Sequence, residues 1–220
     1  MASSPEITTI PRLSLAKTSV IVVGAMNVYI IHPEWLTTIG AIQKGAEYNI
    51  QINFATPGFR LTPKKGDGVT WTVQPDRLLV ESDKCDGLEW NAVQTVIKQL
   101  PWTPLNAIGA NFHYKVMAAA NEGTATDESM PRKAFPCGYN VKLDGRHWSL
   151  SRSDALAICN VHLNRDSDSC SILVNYHTDL SDLPAPKRQL NAVNDSLSNF
   201  KRQREESELL ATACYEVQTS

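Results

Sequence analysis

TPLNAIGANFHYKVMA, residues Thr103 to Ala118, is the stretch around which the rest of the chain can be ordered. Thr103-Pro104 closes a preceding helix, because proline has no N–H to continue it. Ala110, Phe112, Tyr114 and Val116 then alternate with Asn111, His113, Lys115 and Met117. A period of two places the first set on one face of a strand and the second on the other. The aromatic and aliphatic face is read as core. The opposite face carries an amide, an imidazole and an ammonium, and meets either solvent or a site.

Upstream, Val20 to Val23 is a β-forming run closed by Gly24, and Val28 to Ile31 is a second short one. Pro33 suits the first turn of a short helix with Trp35, Leu36 and Ile39 on its apolar side. In Glu47 to Phe54, residues Tyr48, Ile50, Ile52 and Phe54 alternate with Asn49, Gln51 and Asn53. This is the clearest strand pattern in the chain, and it predicts one buried face. Strands around Phe59–Leu61, Val69–Val73 and Arg77–Glu81, separated by Pro/Gly/Asp turns, complete an antiparallel meander. A helix follows. Asp86 is its expected N-cap and Glu89 stands three residues on, a capping-box spacing. Leu88, Ala92, Val93, Val96, Ile97 and Leu100 share its apolar side.

Downstream, residues 119–140 are polar, small and proline-containing, and are read as a long loop. Asp144-Gly145 signals a turn within 141–150. Two runs ending near Leu163 and starting near Cys170 predict a hairpin, with residue 161 opposite 172 and 159 opposite 174. Lys187 to Cys214 has no glycine or proline and reads as one long helix. Leu190, Val193, Leu197 and Phe200 follow 3–4–3 spacing along it, a stripe able to pack on a neighbour. The organisation expected is an N-terminal arm (1–17), an α+β domain (18–182) and a C-terminal helix with its tail (183–220). Its fold class is a mostly antiparallel twisted sheet with one crossing helix and a long C-terminal helix.

The chain has 220 residues and a net charge of −2, from 21 basic and 23 acidic side chains. Such a balance argues against a protein whose main task is to neutralise phosphates. The basic run Lys201-Arg202-x-Arg204 is followed at once by Glu205, Glu206 and Glu208, which suits a self-paired helix face better than a nucleic-acid track. Five cysteines occur without CxxC, and no export signal is recognisable at the N-terminus, so a reduced, cytoplasmic protein is expected. The run Ser19–Met26 is too short to span a membrane.

No metal or cofactor signature is present. His162 and His177 lie at opposite ends of the hairpin, and no histidine pair has ligand spacing. Asp166 and Asp168 lack the glycine and glutamate of a calcium loop. Catalytic motifs are absent as well. Two candidate sites remain. One is the Leu190–Val193–Leu197–Phe200 stripe, as a docking element for a protein partner or a second copy. The other is the Asn111–His113–Lys115 face, with His113 as a general acid or base.

Three stretches carry a resemblance: Asn27 to Leu36 (NVYIIHPEWL), Val73 to Leu78 (VQPDRL) and Thr103 to Tyr114 (TPLNAIGANFHY). Together they resemble an uncharacterised group of bacterial proteins. In that group an Asn-Pro-x-Ile-x-x-Pro-x-Trp run precedes a meander, a helix and a Gly-x-Asn-aromatic strand. Val28 stands here where the group has proline. The resemblance covers about residues 20–117 and implies a fold without an activity. It suggests an accessory part of a prokaryotic defence or mobile-element operon. The function expected is a non-enzymatic binding or regulatory protein acting through protein contacts. The rival is an enzyme built on the His113 face.

Overall fold

Residues 12–52, 55, 57–65, 68–117, 140–144, 147–151, 157–166, 169–183 and 186–219 are described by a computed structural model. The quoted stretch becomes β6 (Leu105–Met117), paired with β1 (Arg12–Gly24) on one side and β10 (Ser169–Asp179) on the other. Between them lie α1 (Pro33–Thr38), β2 (Tyr48–Ile52), β3 (Phe59–Pro63), β4 (Thr70–Gln74), β5 (Arg77–Ser82) and α2 (Leu88–Gln99). After β6 come β7 (Asn140–Asp144), β8 (His147–Ser151), β9 (Ala157–Asp166), β10, α3 (Pro186–Ser198) and α4 (Phe200–Thr219). The fold is α+β, as the alternation and helix signals predict.

The ten strands of the described residues form one antiparallel sheet in the order β2-β3-β4-β5-β1-β6-β10-β9-β8-β7. The order has an internal logic. Each half is a long inner strand, then a four-stranded meander, then helix: β1 to α2 in the first half, β6 to α4 in the second. The inner strands β1 and β6 join the halves, which leaves β2 and β7 as the two edges. The likeness of the halves is one of topology, and no sequence repeat marks it.

One sheet face is covered by α2, α3 and α4. Val20, Val22, Leu78, Val80, Ile108, Phe112, Val161 and Val174 line that face, each at most 1% exposed. Phe200 is the hinge of the packing. Its ring lies 5.3 Å from Trp90 of α2 and 5.2 Å from Phe112 of β6, joining both helical layers to the sheet centre. Gly24 ends β1 because a side chain there would collide with the Pro104 carbonyl.

Several expectations need correction. Val28–Ile31 is a turn and not a strand. Asn27 accepts from the Tyr29 N–H through its side chain, and from Ile30 and Ile31 through its carbonyl, which closes the chain locally. Residues 12–17 are strand and not arm. The β9–β10 register is shifted by two: Val161 faces Val174 and Leu163 faces Ile172. The strands run on to Asp166 and Ser169, so the connection is shorter than its polar composition suggests. The long C-terminal helix is two helices. At Asn199 the side chains of Ser198 and Asn199 both donate to the Asp195 carbonyl, which competes with helix continuation. Residues 119–139 of the expected loop, Phe54 and the arm before residue 12 lie outside the described residues.

Candidate functional site

The face of β6 away from the helices carries the predicted polar trio. Asn111 lies in a row that crosses four strands in register, Ser19–Asn111–Asn175–Asn160. Asn160 Nδ2 donates to Asn175 Oδ1 (3.4 Å), Asn175 Nδ2 to Asn111 Oδ1 (2.6 Å), and Asn111 Nδ2 to Ser19 Oγ (3.0 Å). The amides therefore satisfy one another and bind the two halves of the sheet together. Gly109 makes room for the row, since a side chain there would press on Ile21 and the Tyr176 carbonyl.

His113 lies one step along, opposite Lys17 of β1. Lys17 pairs with Glu81, which also meets Arg60 at 3.5 Å. Partial burial lowers the imidazole's proton affinity, the Lys17 and Lys115 charges lower it further, and Glu81 acts in the opposite direction. His113 should thus be protonated to a smaller extent than a free histidine at the same pH. Proton NMR should find its midpoint below 6.5, and Lys17→Met should raise that midpoint. An unshifted wild-type midpoint would contradict this placement.

The second predicted site is used internally. Val193, Leu197 and Phe200 are buried against the sheet, and Leu190 is half-buried beside them. The stripe is the lid of the chain's own core, and a partner does not meet it on the surface.

Two features escape the sequence reading. Glu89 does not close a capping box. The first helical N–H, that of Leu88, is met instead by the Asp86 carboxylate, and the N-cap position falls on Gly87 with φ +85°. Glu89 turns inward and is fully buried. Its Oε1 accepts from Thr18 Oγ1 at 2.7 Å, while Oε2 has no hydrogen-bond partner among the described residues. Burial raises its proton affinity, with Asp86 adding to the effect and Thr18 and Arg204 opposing it. Nearby, Tyr114 Oη donates to Ser207 Oγ at 2.6 Å, and burial pushes its pKa up to about 12. Cys85 adjoins the same cluster with φ +56°, a left-handed conformation that costs an L residue about 1–2 kcal/mol. Burial raises this thiol's pKa too, which favours an inert cysteine over a nucleophile.

The other missed feature is β2. Its alternation predicts a buried face, yet Ile50 is 55% exposed and Ile52 61% exposed. Among the described residues β2 is a sheet edge with β3 on one side only. Its backbone is equally open. Lys64 N donates to Glu47 O, so the odd-numbered residues 47, 49 and 51 face β3. The N–H and C=O groups of Tyr48, Ile50 and Ile52 then point outward. Ile50 and Ile52 present both exposed apolar side chains and backbone groups unpaired among the described residues, and the half-buried Tyr48 adds such backbone groups beside them. Lysine, proline and bulges are the usual guards of such an edge, and YNIQI contains none of them.

Neither protein-family models nor curated proteins give a match to this chain. Among solved structures it is similar to DynU16, a protein in the dynemicin biosynthetic locus. That likeness has 13% sequence identity and a TM-score of 0.30, and covers 90% of this chain and 99% of that one. A likeness of this degree carries no functional weight. Among the described residues no helix is long and apolar enough to cross a membrane, and no cluster of His, Cys, Asp or Glu could hold a metal ion.

Proposed function

We propose that the protein is a binding or regulatory subunit that acts through protein contacts, with the open edge of β2 as the contact surface. The supporting observation is the coincidence on Ile50 and Ile52 of exposed apolar side chains and a strand edge that is unpaired among the described residues. Strand addition uses both: the backbone ladder supplies affinity and alternate side chains supply fit.

The occupant that suits this edge is a second copy of the chain. YNIQI reads alike in both directions, with apolar ends, amides inside and isoleucine at the centre. An antiparallel pair about Ile50 sets Ile50 against Ile50, Tyr48 against Ile52 and Asn49 against Gln51. Each apolar pair extends the sheet's core side across the junction. None of the five residues is charged, so no like charges meet at the two-fold axis. Joining the strands also removes an edge that would otherwise invite aggregation.

Sedimentation velocity of the full chain tests the assignment. Wild type should sediment as a dimer, with Ile50→Lys a folded monomer because it places two ammonium groups face to face. A monomeric wild type, or a dimer untouched by both Ile50→Lys and Gln51→Pro, would overturn it.

A further inference from the structure

Glu89 of α2 sits where β1, β6 and α4 converge. Thr18 of β1 donates to its carboxylate, and Cys85 and Asp86 lie beside it on the β5–α2 loop. Arg204 of α4 acts on it through its charge, and acts on Tyr114 of β6 as well. Glu89 is 0% exposed, and its Oε2 accepts no hydrogen bond among the described residues.

Helix α4 closes this junction with polar groups. Gln203 and Ser207 are buried on its inner side, and Gln203 Oε1 also lacks a partner among the described residues. Ser207 Oγ takes the Tyr114 hydrogen bond and donates its own to the Arg204 carbonyl at 2.7 Å. Further along the helix the seat is apolar, with Leu210 and Ala211 fully buried. The break at Asn199 separates α4 from α3. Because Ser198 and Asn199 cap the end of α3 at the Asp195 carbonyl, α4 can lift without unwinding it.

We infer that Glu89 is a pH-sensitive latch on α4: neutral, it lets the helix seat, and ionised, it loosens residues 200–207. A buried carboxylate anion must gain water or a counter-charge. Both routes run through α4. Gln203 and Ser207 cover the junction against water, and the cation that acts on Glu89 is Arg204. Burial is the larger influence on Glu89, Cys85 and Tyr114, and raises the proton affinity of each. Arg204 opposes it at all three, while Asp86, Asp83 and Glu208 reinforce it at Glu89, Cys85 and Tyr114 respectively. Cys85 and Tyr114 therefore keep their protons up to about pH 8, and Glu89 is the group that titrates. Lifting α4 wets the carboxylate and returns it to its ordinary proton affinity. The opening equilibrium then grows by up to about tenfold per pH unit, until the folded-state pKa of Glu89 is passed. This is a local opening, distinct from global unfolding.

Residue-resolved amide hydrogen exchange of the full chain at about pH 5 and pH 8 tests the latch. Wild type and Glu89→Gln are measured side by side, so that intrinsic exchange rates cancel. Amides 203–207 of wild type should exchange faster than Phe112 at the centre of β6, through an opening smaller than global unfolding. Their protection relative to Glu89→Gln should fall by about tenfold between the two pH values. Should the Gln variant lose its circular dichroism, Glu89→Met, equally uncharged, takes its place. Amides 203–207 that exchange no faster than Phe112 would overturn the latch, because α4 would then open only with the whole fold. Faster exchange with the same pH response in wild type and variant would overturn it equally, because the opening would not depend on Glu89.

Discussion

Phe200→Ala should cost about 3–5 kcal/mol of stability, the range for deleting a large aromatic from a core. Phe200 is 6% exposed and contacts Trp90 and Phe112 at once, so truncation opens a void between both helical layers and the centre of the sheet. Chemical denaturation measures it. A loss under 1 kcal/mol would mean that α4 is loosely docked and that the sheet is stable without its lid. The same packing predicts the fate of a chain ended at Asp182. Without α3 and α4, Phe112, Tyr114, Val174 and Tyr176 lose their cover. Such a chain should show no cooperative unfolding transition. A cooperative transition in it would return the C-terminal helices to the role of a separable docking arm.

Glu89 sets the second large effect, which is a pH dependence. Its folded-state pKa is raised by burial, so the folded chain holds the proton at pH values where the unfolded chain has released it. Below about pH 4 both states are protonated and Glu89 contributes no slope. As pH rises past the ordinary carboxylate value, the unfolded state ionises first. Stability then falls, by up to about 1.4 kcal/mol per pH unit, until the folded pKa is passed. Glu89→Gln keeps an acceptor for Thr18 and carries no charge. It should be more stable than wild type at pH 8, by roughly 1–3 kcal/mol, and the difference should vanish at pH 4. Thermal denaturation at both values checks it. A Gln variant less stable than wild type at pH 8 would show that the ionised carboxylate is stabilised by partners such as Arg204.

Local pattern carried the reading far where one neighbour decides a residue's environment. The alternation in 105–117 marked the centre of the sheet, because β6 has strands on both sides and helices on one face. The α2 stripe from Ala92 to Ile97 is buried as its spacing predicts. The same alternation in YNIQI misled, because periodicity identifies a strand but not its place in a sheet. Ile50 is exposed because β2 is an edge of the described sheet. Glu89 failed differently. A glutamate three residues after Asp86 has the same spacing whether it caps the helix or points inward, and the burial of Thr18 beneath α2 decides between them. The hairpin register slipped by two because polarity at 164–169 looks alike in a loop and in the end of a strand.

The most direct test of strand pairing is residue-resolved amide hydrogen exchange of Tyr48, Ile50 and Ile52 across a range of protein concentration. These amides point away from β3, so nothing within the described chain protects them. They should become protected as concentration rises in wild type and stay fast in Ile50→Lys. Fast exchange of all three at every concentration would contradict the account, because an edge that never pairs cannot be the contact surface.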